Sequence, residues 1–113
     1  FPYTTLFRSF LVPFVFPIQG ESMMIAKRIR VYGRVQGVGF RWFMYQEARK
    51  LKLGGWVRNL RDGQVEALVS GPQAAVAALI HWASYGPSDA RVDEIQVEDT
   101  PERAQGFEKR PTI

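Results

Sequence analysis

Two close glycines and an arginine raise the first chemical question. In the run Val31–Arg41, VYGRVQGVGFR, Gly37 and Gly39 bracket Val38, and Arg41 follows. Glycines this near one another let the backbone take positive φ and approach a ligand, and successive amide N–H groups in such a turn can converge into an anion-binding nest. Arg41 adds a planar guanidinium whose fork matches two phosphate oxygens. A helical pattern begins at Phe40, so Arg41 falls in a first turn, where the helix macrodipole disfavours a cation by a few tenths to about 1 kcal/mol. Broken local rules of this kind mark functional sites, and an anion held between the turn amides and the guanidinium removes the conflict.

Other chemistries are poorly supplied. The chain has no cysteine, which excludes disulfides, thiolate catalysis and Cys-ligated zinc, and its one histidine, His81, is too few for a His-based metal centre. His81 lies mid-helix beside Trp82, so a structural or surface role is expected of it. GRVQGVGFR matches neither the Walker loop nor the dinucleotide fingerprint. No metal and no cofactor are therefore expected. Net charge +4 and a pI near 9.8 favour anionic partners without choosing among phosphorylated metabolites, nucleic acid and acidic surfaces. Asn59, in GWVRNL, reads on local grounds as a turn-initiating residue ahead of Arg61-Asp62-Gly63.

The elements that would position these residues follow from periodicity. Ile29, Val31, Gly33 and Val35 alternate with Arg28, Arg30, Tyr32 and Arg34, the period-2 pattern of a strand with one buried face. Phe40, Phe43, Met44, Ala48 and Leu51 recur at helical spacing and predict a helix over 40–52, its core face set by these five residues and its end capped by Gly54-Gly55. GWVRNL and QVEALVS, joined across Arg61, Asp62 and Gly63, predict a hairpin. Its second strand places Val65, Ala67 and Val69 on one face, with Gln64, Glu66, Leu68 and Ser70 on the other. A second helix starts at Gly71-Pro72, carries the stripe Ala75, Val76, Leu79, Ile80 and Ala83, and stops at Gly86-Pro87. Arg91 to Glu98 reads as a fourth strand with Ile95 and Val97 inward, and Gly106 to Ile113 as a fifth.

The order is βαββαβ plus a terminal strand: an α+β, ferredoxin-like sandwich with two helices on one face of a mostly antiparallel sheet. A chain of 113 residues with 46% apolar content builds one core, expected over residues 23–113. Residues 1–22 look foreign to it. Their apolar run Phe10 to Ile18 is interrupted by Pro13 and Pro17, which oppose a helical signal segment, and is too short for a span of about 20 residues. The opening FPYTTLFRS resembles the in-frame translation of a sequencing-library adaptor. The expectation is a non-native or disordered extension preceding a start at Met23 or Met24.

Taken together, VYGRVQGVGFR, GWVRNLRDGQVE, GPSDARVDEI and GFEKRPT resemble the acylphosphatase family along residues 24–113. That resemblance implies a small, metal-independent, cytoplasmic hydrolase that cleaves the carboxyl–phosphate anhydride of acyl phosphates. It implies phosphate binding by Arg41 and by the backbone amides of Gln36, Gly37, Val38, Gly39, Phe40 and Arg41. It assigns the attacking water to Asn59, reversing the local reading of that residue. Expected partners are an acyl phosphate and inorganic phosphate, with no nucleic acid, no membrane and a monomeric state. The acylphosphatase-like first domain of carbamoyltransferases is the alternative, but those chains continue into zinc-binding domains and this one has no cysteine. An RNA-binding module of the same topology would need aromatics on its central strands, and Gln64 to Ser70 has none.

Overall fold

The computed structural model describes residues 23–113, so the expectation for residues 1–22 lies outside the described residues. Strand β1 (Met24–Arg34) leads through a loop into helix α1 (Phe40–Lys50); β2 (Gly54–Asn59) and β3 (Val65–Pro72) form a hairpin; α2 (Gln73–Ala83), β4 (Arg91–Asp99) and β5 (Phe107–Lys109) complete the chain. The sheet runs β4-β1-β3-β2-β5. All neighbours are antiparallel except β2 and β5, which are parallel. The ferredoxin-like α+β expectation is borne out.

Alternation buries one sheet face under the helices. Ile29, Val31, Val57, Val65, Ala67 and Val69 meet Phe40, Met44 and Ala48 of α1 and Val76, Leu79 and Ala83 of α2 in one core. Phe43 departs from expectation: it is 44% exposed. It sits at the flank of the α1 stripe, and its ring lies against the loop glycine, within 3.2–3.3 Å of where a Cβ on Gly39 would stand. Gly33 is also exposed, because a bulge between Tyr32 and Gly33 shifts the register with β4 just before the loop. On β4, Ile95 is half-buried and Val97 is 40% exposed. Their partners across the ladder are core residues, Val31 and Ile29, but β4 is an edge strand and the helices pack chiefly on the other four.

Helix ends correct two further expectations. The first helix stops at Lys50, and its left-handed residue is Lys52 at φ 59°, not the glycines. Lys52 N donates to Arg49 O (3.0 Å) and Leu53 N to Ala48 O (2.9 Å), the paired bonds of a Schellman cap. Gly54 and Gly55 instead lie in β2, where a Cβ would collide with the carbonyls of Ala104 and Leu68. Pro72 is the N-cap of α2, one residue outside it. The fifth strand is three residues long, shorter than the predicted Gly106 to Ile113, although Arg110 N and Ile113 N beyond it still donate to carbonyls of β2. No helix among the described residues is long and apolar enough to cross a membrane.

The opposite sheet face is covered by arginines. Glu66, 2% exposed, accepts from Arg58 Nε (2.9 Å) and Nη2 (2.7 Å), with Arg28 and Arg30 at 3.4 and 3.3 Å. The guanidiniums of Arg58, Arg110 and Arg28 stand 4.5, 4.9 and 5.6 Å from the ring of Trp56, which is buried beneath them. This layer is why β3 is buried on both faces, Glu66 and Leu68 included.

Candidate active site

The loop between β1 and α1 takes its shape from its glycines: Gly37 has φ 75° and Gly39 φ 80°. Gly39 is the N-cap of α1, contributes no side chain to that cap, and precedes a first turn with no acidic residue. Among the described residues, no backbone carbonyl accepts a hydrogen bond from the amides of Gln36 to Arg41. The loop is thus a row of free donors. Its position is held by the Gln36 side chain, whose Nε2 donates to Leu60 O (2.7 Å) and Gln64 O (2.8 Å) on the hairpin turn.

Arg41 is half-buried and anchored at one corner, Nη1 donating to Arg110 O at 2.9 Å. That carbonyl is itself placed by the chain after β5, which runs beside β2 through Arg110 N to Val57 O (2.8 Å) and Ile113 N to Asn59 O (3.2 Å). One bond to a backbone oxygen fixes the plane of the guanidinium and leaves its other N–H groups without a protein acceptor among the described residues.

Asn59 is the last residue of β2. Its Oδ1 is buried with no hydrogen-bond donor from the described residues. An acceptor stranded in this way costs about 1–3 kcal/mol unless a donor arrives from outside the chain. The side chain is therefore not engaged in the turn interaction that local sequence suggests.

Gln36, Gly37, Gly39, Phe40, Arg41 and Asn59 all line one pocket of about 250 Å³. Of the loop residues singled out from the sequence, only Val38 is missing from the lining; it packs on the core. Trp42 and Lys109 also line the pocket and were not anticipated. Trp42 adjoins Arg41, so adjacency was an available signal. Nothing local to Lys109 announces it, because it arrives through the parallel pairing of β5 with β2, opposite Val57. His81 is exposed, lies edge-on to Tyr85 at 5.4 Å and takes no part in the lining.

Two cations and no carboxylate line the pocket, and the lining carries no imidazole or hydroxyl side chain. Its resources are positive charge, N–H donors and one carboxamide, which suit an anion rich in acceptor oxygens and chemistry by positioning and charge stabilisation.

The acylphosphatase family model matches residues 27–109. The chain is 55% identical over 84 residues to the acylphosphatase of Thermococcus kodakarensis, covering 74% of this chain and 92% of that relative. Its fold is similar to the crystal structure of acylphosphatase from Bacillus subtilis, with a TM-score of 0.73 and 40% identity over 78% of this chain and 99% of that one. It is also similar to 12% of full-length HypF in a phosphate- and nucleotide-bound form, with a TM-score of 0.73 and 32% identity over 80% of this chain. Since the family match spans the loop, the hairpin and the closing strand, the chain belongs to the acylphosphatase family and is a hydrolase of acyl phosphates.

Proposed function

We propose that the pocket between the Gln36–Arg41 loop and Asn59 is where water cleaves the carboxyl–phosphate anhydride. Arg41 and the free loop amides bind the phosphoryl oxygens, each charge-assisted bond contributing about 1.5–3 kcal/mol. The Asn59 carboxamide holds the attacking water, its oxygen accepting and its NH₂ donating. Asparagine is too weak a base to deprotonate that water, so the proton passes to a phosphoryl oxygen of the substrate. The water oxygen bonds to phosphorus, the bridging P–O bond breaks, and its electron pair leaves on the carboxylate. A carboxylate is a stable leaving group and needs no strong general acid, which suits a lining without carboxyl, imidazole or hydroxyl side chains.

The observation that carries this reading is the convergence of Arg41, the unpaired loop amides and the stranded Asn59 Oδ1 on one pocket. The test is steady-state hydrolysis of benzoyl phosphate with a chelator present. Turnover should be unaffected by the chelator, and Arg41→Ala should lower kcat/KM by about 100-fold, the loss of one to two charge-assisted bonds, while weakening inhibition by inorganic phosphate. Unchanged phosphate inhibition in that variant would remove Arg41 from the cradle, and chelator sensitivity would show that a metal ion takes part.

A further inference from the structure

The phosphate pocket opens beside a second, larger concavity. This groove, about 810 Å³, is lined by Trp42, Phe43, Tyr45 and Trp82 together with polar residues of α1. Trp42 belongs to both walls. It is 46% exposed and Phe43 44%, so two large aromatic side chains meet water directly beside a site built for an anion. Contiguous exposed apolar surface of this kind marks binding surfaces. The Trp42 ring is also braced: it stacks on Tyr45 at 5.8 Å and 28°, and Lys109 Nζ stands 4.7 Å from its centroid and 5.7 Å from that of Tyr45.

An acyl phosphate is one covalent body. Once its phosphoryl end is in a pocket of about 250 Å³, the acyl end must extend beyond it, and Trp42 is the lining residue that the pocket shares with the groove. We propose that Trp42 is the floor of an acyl-group subsite that continues into the groove, selecting acyl groups with a flat aromatic or extended apolar body. Lys109, held over the same ring, places a positive charge near where the carboxylate leaves. This inference rests on the phosphate-pocket reading and adds the specificity of the same site: the acyl group is chosen by apolar contact with α1, while the phosphoryl group is bound by donors of the loop.

The experiment compares kcat/KM for benzoyl phosphate and acetyl phosphate in the full chain, as a ratio. Trp42→Ala should lower the benzoyl-to-acetyl ratio about tenfold, equivalent to about 1.4 kcal/mol and within the range of an aromatic contact. Trp42→Phe, which keeps an aromatic face, should hold the ratio within about twofold of the parent. An unchanged ratio in Trp42→Ala overturns the subsite. So does a loss in a folded Trp42→Ala too deep to measure with either substrate, since it would place Trp42 in the phosphate cradle. Failure of the parent chain to hydrolyse either compound would instead overturn the hydrolase reading on which the subsite rests.

Discussion

Asn59 and Gln36 show how residues of similar chemistry acquire different work. Both are carboxamides at the pocket. Gln36 spends its NH₂ on two carbonyls of the hairpin turn, which makes it a brace, whereas the Asn59 oxygen has no donor among the described residues. Replacing Asn59 with alanine should lower kcat for benzoyl phosphate by about 100-fold, the usual cost of losing a positioned polar group, with inhibition by inorganic phosphate within about twofold of the parent. Equal losses in both would make Asn59 a phosphate ligand instead of the holder of water. Arg41 was legible from a charge in the wrong place on a helix. Asn59 was not legible locally, because a hairpin explains an asparagine just as well.

At the scale of elements, periodicity located both helices and the strands, and the errors fell at their ends and flanks. A left-handed helix cap is usually glycine, and two glycines follow α1, yet Lys52 holds that conformation. The glycines are needed elsewhere, where β2 passes too close to the carbonyls of Ala104 and Leu68 for any side chain. Their reason is tertiary and lies outside the window in which a cap is read. Lys52→Gly should therefore raise the unfolding free energy by about 0.5–1 kcal/mol, removing the strain of a left-handed non-glycine residue while both cap hydrogen bonds remain. Urea denaturation checks this: the midpoint should rise at constant slope, and a fall would mean that the Lys52 side chain contributes more than its backbone strain costs. Phe43 follows the same logic, since a residue at the edge of a helical stripe packs on whatever the fold brings there, in this case Gly39 of the loop.

For the molecule as a whole, the polar sheet face carries a buried ion cluster that links β1, β2 and β3 through Glu66. Burial pushes the Glu66 carboxyl up, but hydrogen bonds from Arg58 and the charges of Arg58, Arg30 and Arg28 outweigh it and hold the pKa below its ordinary value of 4.5. A carboxylate with a depressed native pKa contributes stability in full above the unfolded value, and that contribution is lost as pH falls through the native one. Glu66→Gln should thus cost about 1.5–3 kcal/mol at neutral pH through its charged hydrogen bonds. The difference from the parent should narrow as pH drops below 4.5 and passes through the lowered native value. Thermal unfolding across that range is the measurement, and a constant difference would mean that Glu66 acts by shape alone. The arginines around Glu66 also account for part of the charge seen in the sequence: Arg28, Arg30, Arg58 and Arg110 are committed to Glu66 and Trp56, not to the lining of the Arg41–Asn59 pocket.

The sequence by itself determined the order of elements, most of the buried faces and the positive-φ glycine turn that leads into Arg41. These follow from short-range rules: period 2 or 3.6, glycine where φ is positive, charge against a helix dipole. Only the tertiary structure decided that Asn59 shares a pocket with Arg41, that Arg110 O anchors the guanidinium, and that Lys109 and Trp42 line that pocket too. Those are contacts between segments tens of residues apart, created when β5 runs parallel to β2 and the hairpin turn is tied to the loop by Gln36. No local pattern encodes them, because pairing across a sheet depends on which strands become neighbours, and that is settled by the packing of the whole domain.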